Sequence, residues 1–278
     1  MTKQLDGREA QAYYIEQLKQ KTEELKSRMI YPTVIILNAS EKKEADFFSK
    51  QVIKTGKKMN IDVSMDYIHD LTQEEVLKKI EALNDDPRIH GILLPKPLPQ
   101  HLNASQLNER IDPRKDIDGT NPYNLGKLLQ RQESFIPATV RGVMLLCEYY
   151  QIDFQGKNTL IIGQSEIVGR PMAIVALNKR ATISIAHTAT KNLSELTSQA
   201  DLIISAAGAP NLITESMIQP QAILIDVGTT FLSDGKLHGD ISKKAKAIAQ
   251  QASPVPGGVG PLTTLALFEQ LINYLHHQ

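Results

Sequence analysis

The stretch TLIIGQSEIVGRP, from Thr159 to Pro171, decides the fold class of one half of this chain. It starts with a short apolar run typical of a buried strand, passes through a glycine turn and continues as a helical pattern. Such a strand-turn-helix unit places backbone N–H groups at the positive end of the helix, where they can bind a phosphate. Ser165 stands where the G-x-G-x-x-G pattern has its second glycine, so a plain strand-to-helix turn is an equally good interpretation of this motif alone.

Strands and helices alternate on both sides of this stretch. The downstream strand candidates are apolar throughout, which favours a parallel sheet buried on both faces. The upstream half repeats a β-α-β-α-β order, so the predicted fold class is α/β with two sheets. The predicted strands are 33–37, 63–68, 91–94, 159–163, 182–186, 202–205 and 222–228, and the predicted helices are 8–29, 43–59, 73–84, 141–150, 167–178 and 262–275.

Length and composition narrow the class of protein. A chain of 278 residues favours two domains, and the loop-rich region 111–140, interrupted by prolines, is the best candidate for their boundary. With 31 basic and 31 acidic residues, the chain has no strong field to gather nucleic acid or an anionic membrane. No apolar run approaches the roughly 18 residues of a membrane helix, and the first residues lack an apolar signal segment. We therefore expect a globular cytoplasmic protein.

Cysteine and histidine usage argues against a metal centre. The only cysteine, Cys147, lies on an apolar helical pattern and is expected to be a small buried side chain. The seven histidines are scattered without a ligand spacing. No metal site is expected.

Two further segments are candidates for ligand contacts. SPVPGGVGP, from Ser253 to Pro261, has a rigid backbone with few side chains, suited to a flat ligand or to a tight crossover between domains. In KDIDG, from Lys115 to Gly119, the Asp118 carboxylate could bind a pair of N–H groups on a heterocycle. A turn or cap role for Asp116 or Asp118 is the alternative, and spacing alone favours it.

Taken together, the motifs resemble the methylenetetrahydrofolate dehydrogenase/methenyltetrahydrofolate cyclohydrolase family over essentially the whole chain. They are LDGR from Leu5, PKPLP from Pro95, KDIDG-x-N-P-x-N-x-G, P-A-T-x-x-G at 137–142, GQSEIVGRPM, GDIS and PVPGGVGP, in the family's order. The resemblance implies two α/β domains with a cleft. Residues 1–139 plus 262–278 would form a folate domain, and residues 140–261 would form a Rossmann-like dinucleotide domain. Members of the family are commonly dimeric, so the resemblance also implies a homodimer.

The resemblance also implies a set of site residues. Asp118 would hold the pterin as the functional carboxylate, with tetrahydrofolate derivatives as substrates and NADP or NAD as cofactor. The implied substrate contacts are Phe48, Val52, Pro95, Lys96, Leu98, Pro256, Gly257 and Gly258, and the implied cofactor contacts are Gly163, Gln164, Ser165, Thr188, Gly208, Thr229 and Thr263.

This chain departs from the family pattern at its catalytic positions. The family's Tyr and Lys on the second helix correspond to Phe48 and Val52, and the Gln before its L-P-L-P segment corresponds to Pro95. Lys50 and Lys54 lie two positions from Val52, about 200° around a helix, so neither should share its face. In the cofactor loop, Gln164 replaces the family's Arg, and Thr188 replaces a family Ser.

The departures have different consequences for the two reactions. Cyclohydrolysis needs a positioned group for proton transfer, and losing such a group typically costs about 10²–10⁴-fold in rate. The dehydrogenase step mainly needs alignment, because the N5 lone pair of the pterin can expel the hydride. The sequence therefore predicts a dehydrogenase with weak or absent cyclohydrolase activity. Without an arginine at Gln164 to bind a 2′-phosphate, NAD should serve at least as well as NADP.

Two alternatives stay open at this point. The chain could be a catalytically inactive relative that binds folate or dinucleotide in a regulatory role, since the Tyr, Lys and Gln are lost together. It could also be an ordinary bifunctional enzyme in which Lys96, beside Pro95, supplies the proton-transfer group.

Overall fold

The computed structural model describes residues 2–232 and 235–278. The strands are β1 (Lys3–Gln4), β2 (Thr33–Asn38), β3 (Asp62–Tyr67), β4 (Gly91–Leu93), β5 (Asn158–Ile162), β6 (Thr182–Ala186), β7 (Leu202–Ser205), β8 (Ile223–Asp226), β9 (Thr230–Phe231), β10 (Leu237–His238) and β11 (Gln251–Ala252). The α-helices are α1 (Gly7–Ser27), α2 (Lys43–Lys58), α3 (Gln73–Asp85), α4 (Ala104–Arg110), α5 (Pro122–Leu129), α6 (Ala138–Tyr149), α7 (Gly169–Asn178), α8 (Leu193–Ser198), α9 (Lys243–Ile248) and α10 (Val259–His276), with a 3₁₀ turn at Glu215–Met217.

The strands and helices predicted from apolar periodicity are confirmed to within a few residues. The short helices α4, α5, α8 and α9 escaped prediction because each has too few turns for an apolar period to show. Helix α5 lies inside the region predicted to be loop-rich, and the helix-breaking interpretation of its proline is wrong. Pro122 occupies the first helical position, where a missing N–H costs nothing, and Asn121 caps the helix by accepting from Tyr123 N at 2.8 Å.

The chain divides into two compact units. The six-stranded unit joins the residues up to Gln11 with Thr139–Thr263, and the three-stranded unit joins Ala12–Ala138 with Thr264–Gln278. The predicted bounds, 1–139 plus 262–278 and 140–261, differ from this division mainly in the first 11 residues. Those residues group with the six-stranded unit because β1 pairs in parallel with β11 and Leu5 N donates to Ala252 O at 2.9 Å.

The six-stranded unit contains a parallel sheet in the order β1-β11-β8-β7-β5-β6. Strands β7 and β8 are buried throughout, as the apolar runs predicted. Strand β6 lies at the edge of the sheet, and Thr182, Ser184 and Ile185 are exposed there. The prediction that all of these strands are buried on both faces is therefore wrong for β6, because an edge strand has a neighbour on one side only.

The three-stranded unit contains a parallel sheet in the order β3-β2-β4. Helix α2 packs closely against β3 and α10 at Gly56. A Cβ added there would lie 2.5 Å from Val63 of β3 and 3.0 Å from Phe268 of α10. A side chain larger than hydrogen at this position would push the helix away from the sheet. A core cluster covered by α3 and α4 includes Leu37, Ile68, Val76, Ile80, Ile92 and Leu107.

None of the helices in the described ranges has both the length and the apolar character needed to cross a membrane.

Candidate active site

In the three-stranded unit, the KDIDG loop lies along strand β4. Ile92 N donates to Lys115 O at 2.7 Å, and Ile92 forms a parallel bridge with Asp116. The two aspartates of the motif are therefore placed next to the last strand of the sheet. Proteins with an α/β fold commonly bind their ligands beside the carboxyl ends of the parallel strands.

Lys115 has a structural role that sequence reasoning missed. Its ammonium donates to the backbone carbonyls of Leu83, Asn84 and Asp86 at 2.9, 2.7 and 2.8 Å. These carbonyls lie at the C-terminal end of α3, where a helix leaves acceptors unpaired and favours a cation. The contact ties the KDIDG loop to α3. Only the fold brings these residues together, because about thirty positions separate them in sequence.

Asp116 is an internal anchor of the loop. Its side chain is 2% exposed, and its carboxylate accepts from Asn121 N at 2.8 Å and from the Asn124 side-chain amide at 3.1 Å. The amide of Asn121 in turn donates to Ile111 O at 2.8 Å. The turn-and-cap interpretation therefore describes Asp116, whose Oδ2 accepts both of these hydrogen bonds.

Asp118 differs from Asp116 in every one of these respects. It is partly buried, and within the described residues no protein group donates to its carboxylate. Its backbone is fixed, because Ala138 N donates to Asp118 O at 3.0 Å and Gly119, at φ 67°, abuts the Ile136 backbone. Burial, together with the charge of Asp116, raises the pKa of Asp118 to about 7, against the opposing charge of Lys96. The result is a rigidly held carboxyl group to which no described protein group donates.

The PKPLP segment supplies the cation next to these carboxylates. Pro95 is buried, whereas Lys96 and Leu98 are partly buried. The positive charge of Lys96 lowers the pKa of both Asp116 and Asp118, although burial of the two carboxyls outweighs it. The Lys96 ammonium has no hydrogen-bond acceptor among the side chains and backbone that the structure describes.

Helix α2 buries Val52. Val52 is 0% exposed, so its side chain has no accessible surface to offer a ligand, and Phe48 is partly buried. Lys50 and Lys54 are exposed, which confirms that neither shares the face of Val52. Lys50 is instead paired with Asp46 at 2.6 Å.

In the six-stranded unit, the glycine turn after β5 is built as its sequence predicts. Gly163 has φ 113°, and an added Cβ would lie 2.5 Å from Ala206 O. A Cβ on Gly169 would overlap the Gly163 carbonyl oxygen, so the start of α7 needs glycine to approach the strand. These two contacts leave no room for a side chain at Gly163 or Gly169, and we call residues 163–169 the glycine cradle.

The N–H groups at the start of α7 are less available than predicted. The Ser165 hydroxyl accepts from Val168 N at 3.2 Å, and Arg170 N donates to Ser165 O at 3.1 Å, so Ser165 already pairs two N–H groups at the start of this helix. Within the described residues, the N–H groups of Gln164, Ser165 and Glu166 keep no protein acceptor. A phosphate would therefore be bound by the turn rather than by the first helical residues.

Most of the predicted cofactor residues follow strand ends of the same sheet. Gly163, Gln164 and Ser165 follow β5, Thr188 follows β6, Gly208 follows β7 and Thr229 follows β8. Because these four strands are parallel neighbours, their carboxyl ends bring the six residues to one edge. Thr263 lies within α10 instead, and its hydroxyl donates along the helix to Val259 O at 3.5 Å.

The PVPGGVGP segment contacts the LDGR motif within the same unit. Gly7 N donates to Gly257 O at 2.8 Å, and a Cβ on Gly7 would overlap the Gly258 carbonyl oxygen. The Arg8 side chain lies about 3.5 Å from the position of a Cβ on Gly257. Pro256 is exposed, whereas Gly258 is buried. The glycines of both motifs are therefore explained by one close backbone contact.

The potential metal-binding side chains are dispersed over the described part of the chain. No group of three or more His, Cys, Asp or Glu side chains suited to a metal ion occurs within residues 2–232 and 235–278. Cys147 is buried as predicted, and burial raises the pKa of its thiol far above the usual value.

The whole chain is similar to known folate enzymes. Residues 5–118 match the family model described as the tetrahydrofolate dehydrogenase/cyclohydrolase catalytic domain, and residues 137–278 match the NAD(P)-binding domain of the same family. "Bifunctional protein FolD 2" of Lactobacillus johnsonii is 42% identical over 278 residues, covering 98% of this chain and 97% of that protein.

Solved structures agree with these matches. The bifunctional methylenetetrahydrofolate dehydrogenase/cyclohydrolase FolD from Campylobacter jejuni has a TM-score of 0.97 at 38% identity and covers 100% of this chain and 99% of its own. The Trypanosoma brucei enzyme, in complex with NADP and an inhibitor, has a TM-score of 0.92 at 27% identity, with 98% and 96% covered. This chain therefore belongs to the tetrahydrofolate dehydrogenase/cyclohydrolase family.

Proposed function

We propose that the protein is a 5,10-methylenetetrahydrofolate dehydrogenase of one-carbon metabolism, with weak or absent cyclohydrolase activity. The observation that carries this proposal is Asp118, a rigidly held and partly buried carboxylate without a protein donor. A pterin presents neighbouring N–H donors that two carboxylate oxygens can accept together. Within the same unit, the further proposed substrate contacts are Phe48, Pro95, Lys96 and Leu98, while Val52 has no accessible surface for one. The six-stranded unit contributes Pro256, Gly257 and Gly258 to the proposed contacts.

The glycine cradle after β5 fits a nicotinamide dinucleotide. The N–H groups of Gln164, Ser165 and Glu166 are free for a phosphate, and Gly208 has open space where a side chain would stand. When bound, the dinucleotide supplies the acceptor for the hydride released from the methylene carbon. The chain itself contributes orientation and the exclusion of side chains from the phosphate path.

NAD is proposed to serve at least as well as NADP. Gln164 is exposed and neutral, so it cannot form the bidentate ion pair that an arginine forms with a 2′-phosphate. Titrations with both dinucleotides test this. Binding of NADP about tenfold tighter than NAD, roughly 1.4 kcal/mol, would contradict the proposal.

The weak cyclohydrolase is proposed from Val52. A buried aliphatic side chain can neither take a proton from the water that attacks the methenyl carbon nor give one to the departing nitrogen, and neither Lys50 nor Lys54 faces that position. The similar proteins named above are called bifunctional, so this chain would differ from them in one of two activities.

Lys96 supports a second candidate function, a bifunctional enzyme with a relocated cation. Its charge reaches both Asp116 and Asp118, and its ammonium has no acceptor among the described residues. A cation in this position could stabilise the tetrahedral intermediate of cyclohydrolysis.

One paired assay separates these functions. Reduced-dinucleotide formation from methylenetetrahydrofolate is measured with NAD and with NADP, and methenyltetrahydrofolate hydrolysis is measured against the buffer rate. Dehydrogenase turnover without hydrolysis is the expected result. Hydrolysis that depends on Lys96, lost in Lys96→Met, would favour the bifunctional enzyme. Folate binding without either activity would indicate the inactive, regulatory relative.

We also infer a homodimer that uses the β6 edge of the six-stranded sheet. Ile185 of β6 is 41% exposed and Leu177 of α7, the helix packed against β6, is 50% exposed. An open strand edge with apolar neighbours is suited to a second copy of the chain. Light scattering of the purified protein should give twice the chain mass, and Ile185→Lys should give the monomer. A monomeric unsubstituted chain would contradict this inference.

A further inference from the structure

Two of the most deeply buried charged groups of the six-stranded unit have no role in the proposed contacts with the dinucleotide. Asp226 and Asp240 are each 1% exposed. Burying a carboxylate is costly unless several donors satisfy it. Their hydrogen bonds therefore indicate what these carboxylates hold in place.

Asp240 collects three donors from the end of β7 and the loop that follows it. Its Oδ2 accepts from the Ser205 hydroxyl at 2.8 Å and from Ala207 N at 2.7 Å, and its Oδ1 accepts from Ala209 N at 2.8 Å. The two backbone donors flank Gly208, one of the proposed dinucleotide contacts. The carboxylate therefore fixes this loop on both sides of the glycine.

Asp226 holds Asp240 in turn. Its Oδ1 accepts from Asp240 N at 2.9 Å, and its Oδ2 accepts from Ile241 N at 3.1 Å and from the Lys246 ammonium at 2.6 Å. Asp226 is the last residue of β8 and Ser205 the last residue of β7. The two carboxylates thus connect the carboxyl ends of adjacent strands.

Two glycines leave room for these carboxylates and for nothing larger. A Cβ on Gly228 would overlap the Asp240 carboxylate, and a Cβ on Gly239 would overlap that of Asp226. Gly228 N and Val227 N also donate to Ser205 O, at 3.0 and 2.8 Å. The loops after β7 and β8 are therefore locked to each other around Asp240.

We propose that Asp240 is a positioning residue for the dinucleotide site, which holds residues 206–209 so that the backbone around Gly208 faces the bound dinucleotide. This inference rests on the proposed function. It assigns Asp240 no contact with the ligand and no proton transfer, only the placement of the loop that makes the contact.

The test uses Asp240→Asn in the full chain, because an amide has one acceptor oxygen and must leave at least one loop donor facing an NH₂ group. NAD and NADP binding are titrated, folate binding is titrated with 5-formyltetrahydrofolate, and amide hydrogen exchange is followed at Ala207 and Ala209. We expect the dinucleotide Kd to rise about tenfold or more. Folate Kd should stay within about twofold, and exchange should accelerate at the two alanines.

Asp201→Asn is the matched control. The Asp201 carboxylate also accepts a backbone N–H, from Asn158 at 2.8 Å, but at the amino end of the same sheet. It should leave the dinucleotide Kd unchanged. A folded Asp240→Asn chain with unchanged dinucleotide Kd would overturn the inference.

Hydrogen exchange of the unsubstituted chain keeps the inference testable if Asp240→Asn does not fold. Ala207 and Ala209 should be protected, and exchange at free-peptide rates would overturn the inference. A chain that binds folate but neither dinucleotide would overturn the proposed function first, and the positioning role with it.

Discussion

Asp116 and Asp118 are two residues apart, on one loop, yet only one of them has a carboxylate that the protein uses. Asp116 points inward and accepts from Asn121 N and the Asn124 amide at 2.8 and 3.1 Å. Asp118 is held equally firmly through its backbone but receives no side-chain donor within the described residues. The loop therefore separates an anchoring carboxylate from one that is available to a ligand.

The two aspartates should respond differently to substitution by alanine. Asp118→Ala should abolish folate binding and should not lower the free energy of unfolding, because its carboxylate stabilises no protein contact. Asp116→Ala should lower the free energy of unfolding by about 1–3 kcal/mol, because two buried donors lose their acceptor. Urea unfolding and folate titration of both variants measure this. Normal turnover in Asp118→Ala would show that the assignment is wrong.

Folate binding should strengthen as the pH rises through about 7, the pKa to which burial raises Asp118. Only the ionised carboxylate accepts hydrogen bonds from both N–H groups of the pterin. Below this pKa, the affinity for folate should therefore fall by up to about tenfold per pH unit. A titration from pH 6 to 8 checks the effect. A flat affinity over this range would mean that Asp118 does not titrate there.

The same pKa shift predicts that the free energy of unfolding decreases with rising pH, whereas folate affinity increases. Between the usual 3.8 and about 7, folded Asp118 keeps a proton that the unfolded chain releases. Its contribution to the free energy of unfolding therefore decreases as the pH rises through this interval. Asp118→Asn removes the effect, so the variant should gain stability relative to the unsubstituted chain between pH 4 and 7. Parallel pH profiles would contradict this.

Val52→Lys should destabilise the chain. The position has no accessible surface, so an ammonium placed there is buried without a partner. Val52→Met is the uncharged control of similar length and should cost about 1–3 kcal/mol through overpacking. We expect Val52→Lys to cost about 2 kcal/mol more than this control in urea unfolding. Hydrolysis gained in Val52→Lys would show instead that this side chain reaches the substrate.

Gln164→Arg should improve NADP binding selectively. The exposed side chain at the glycine turn would give a 2′-phosphate a bidentate partner, so the NADP Kd should fall about tenfold while the NAD Kd stays within about twofold. Gln164→Lys adds the positive charge without the bidentate geometry of a guanidinium, so it should lower the NADP Kd less. Equal changes for both dinucleotides would place residue 164 away from the 2′-phosphate.

The sequence by itself determined the order of strands and helices and the glycine turn that follows β5. Apolar runs are local signals, and the glycine turn at Gly163 follows its strand directly, so neither needs knowledge of distant contacts. The same reasoning failed where a neighbour in space decides the outcome. Strand β6 is as apolar as β5 but lies at the sheet edge, and Pro122 starts a helix because Asn121 caps it.

The tertiary structure alone decided which polar groups are free. Nothing in KDIDG distinguishes Asp116 from Asp118 until Asn121 and Asn124 fold back on the first. Lys115 was found to cap α3, and Asp240 to hold the loop around Gly208, only through contacts between residues about 30 positions apart. A buried charge is stable only where donors converge on it, and that convergence depends on packing rather than on sequence spacing.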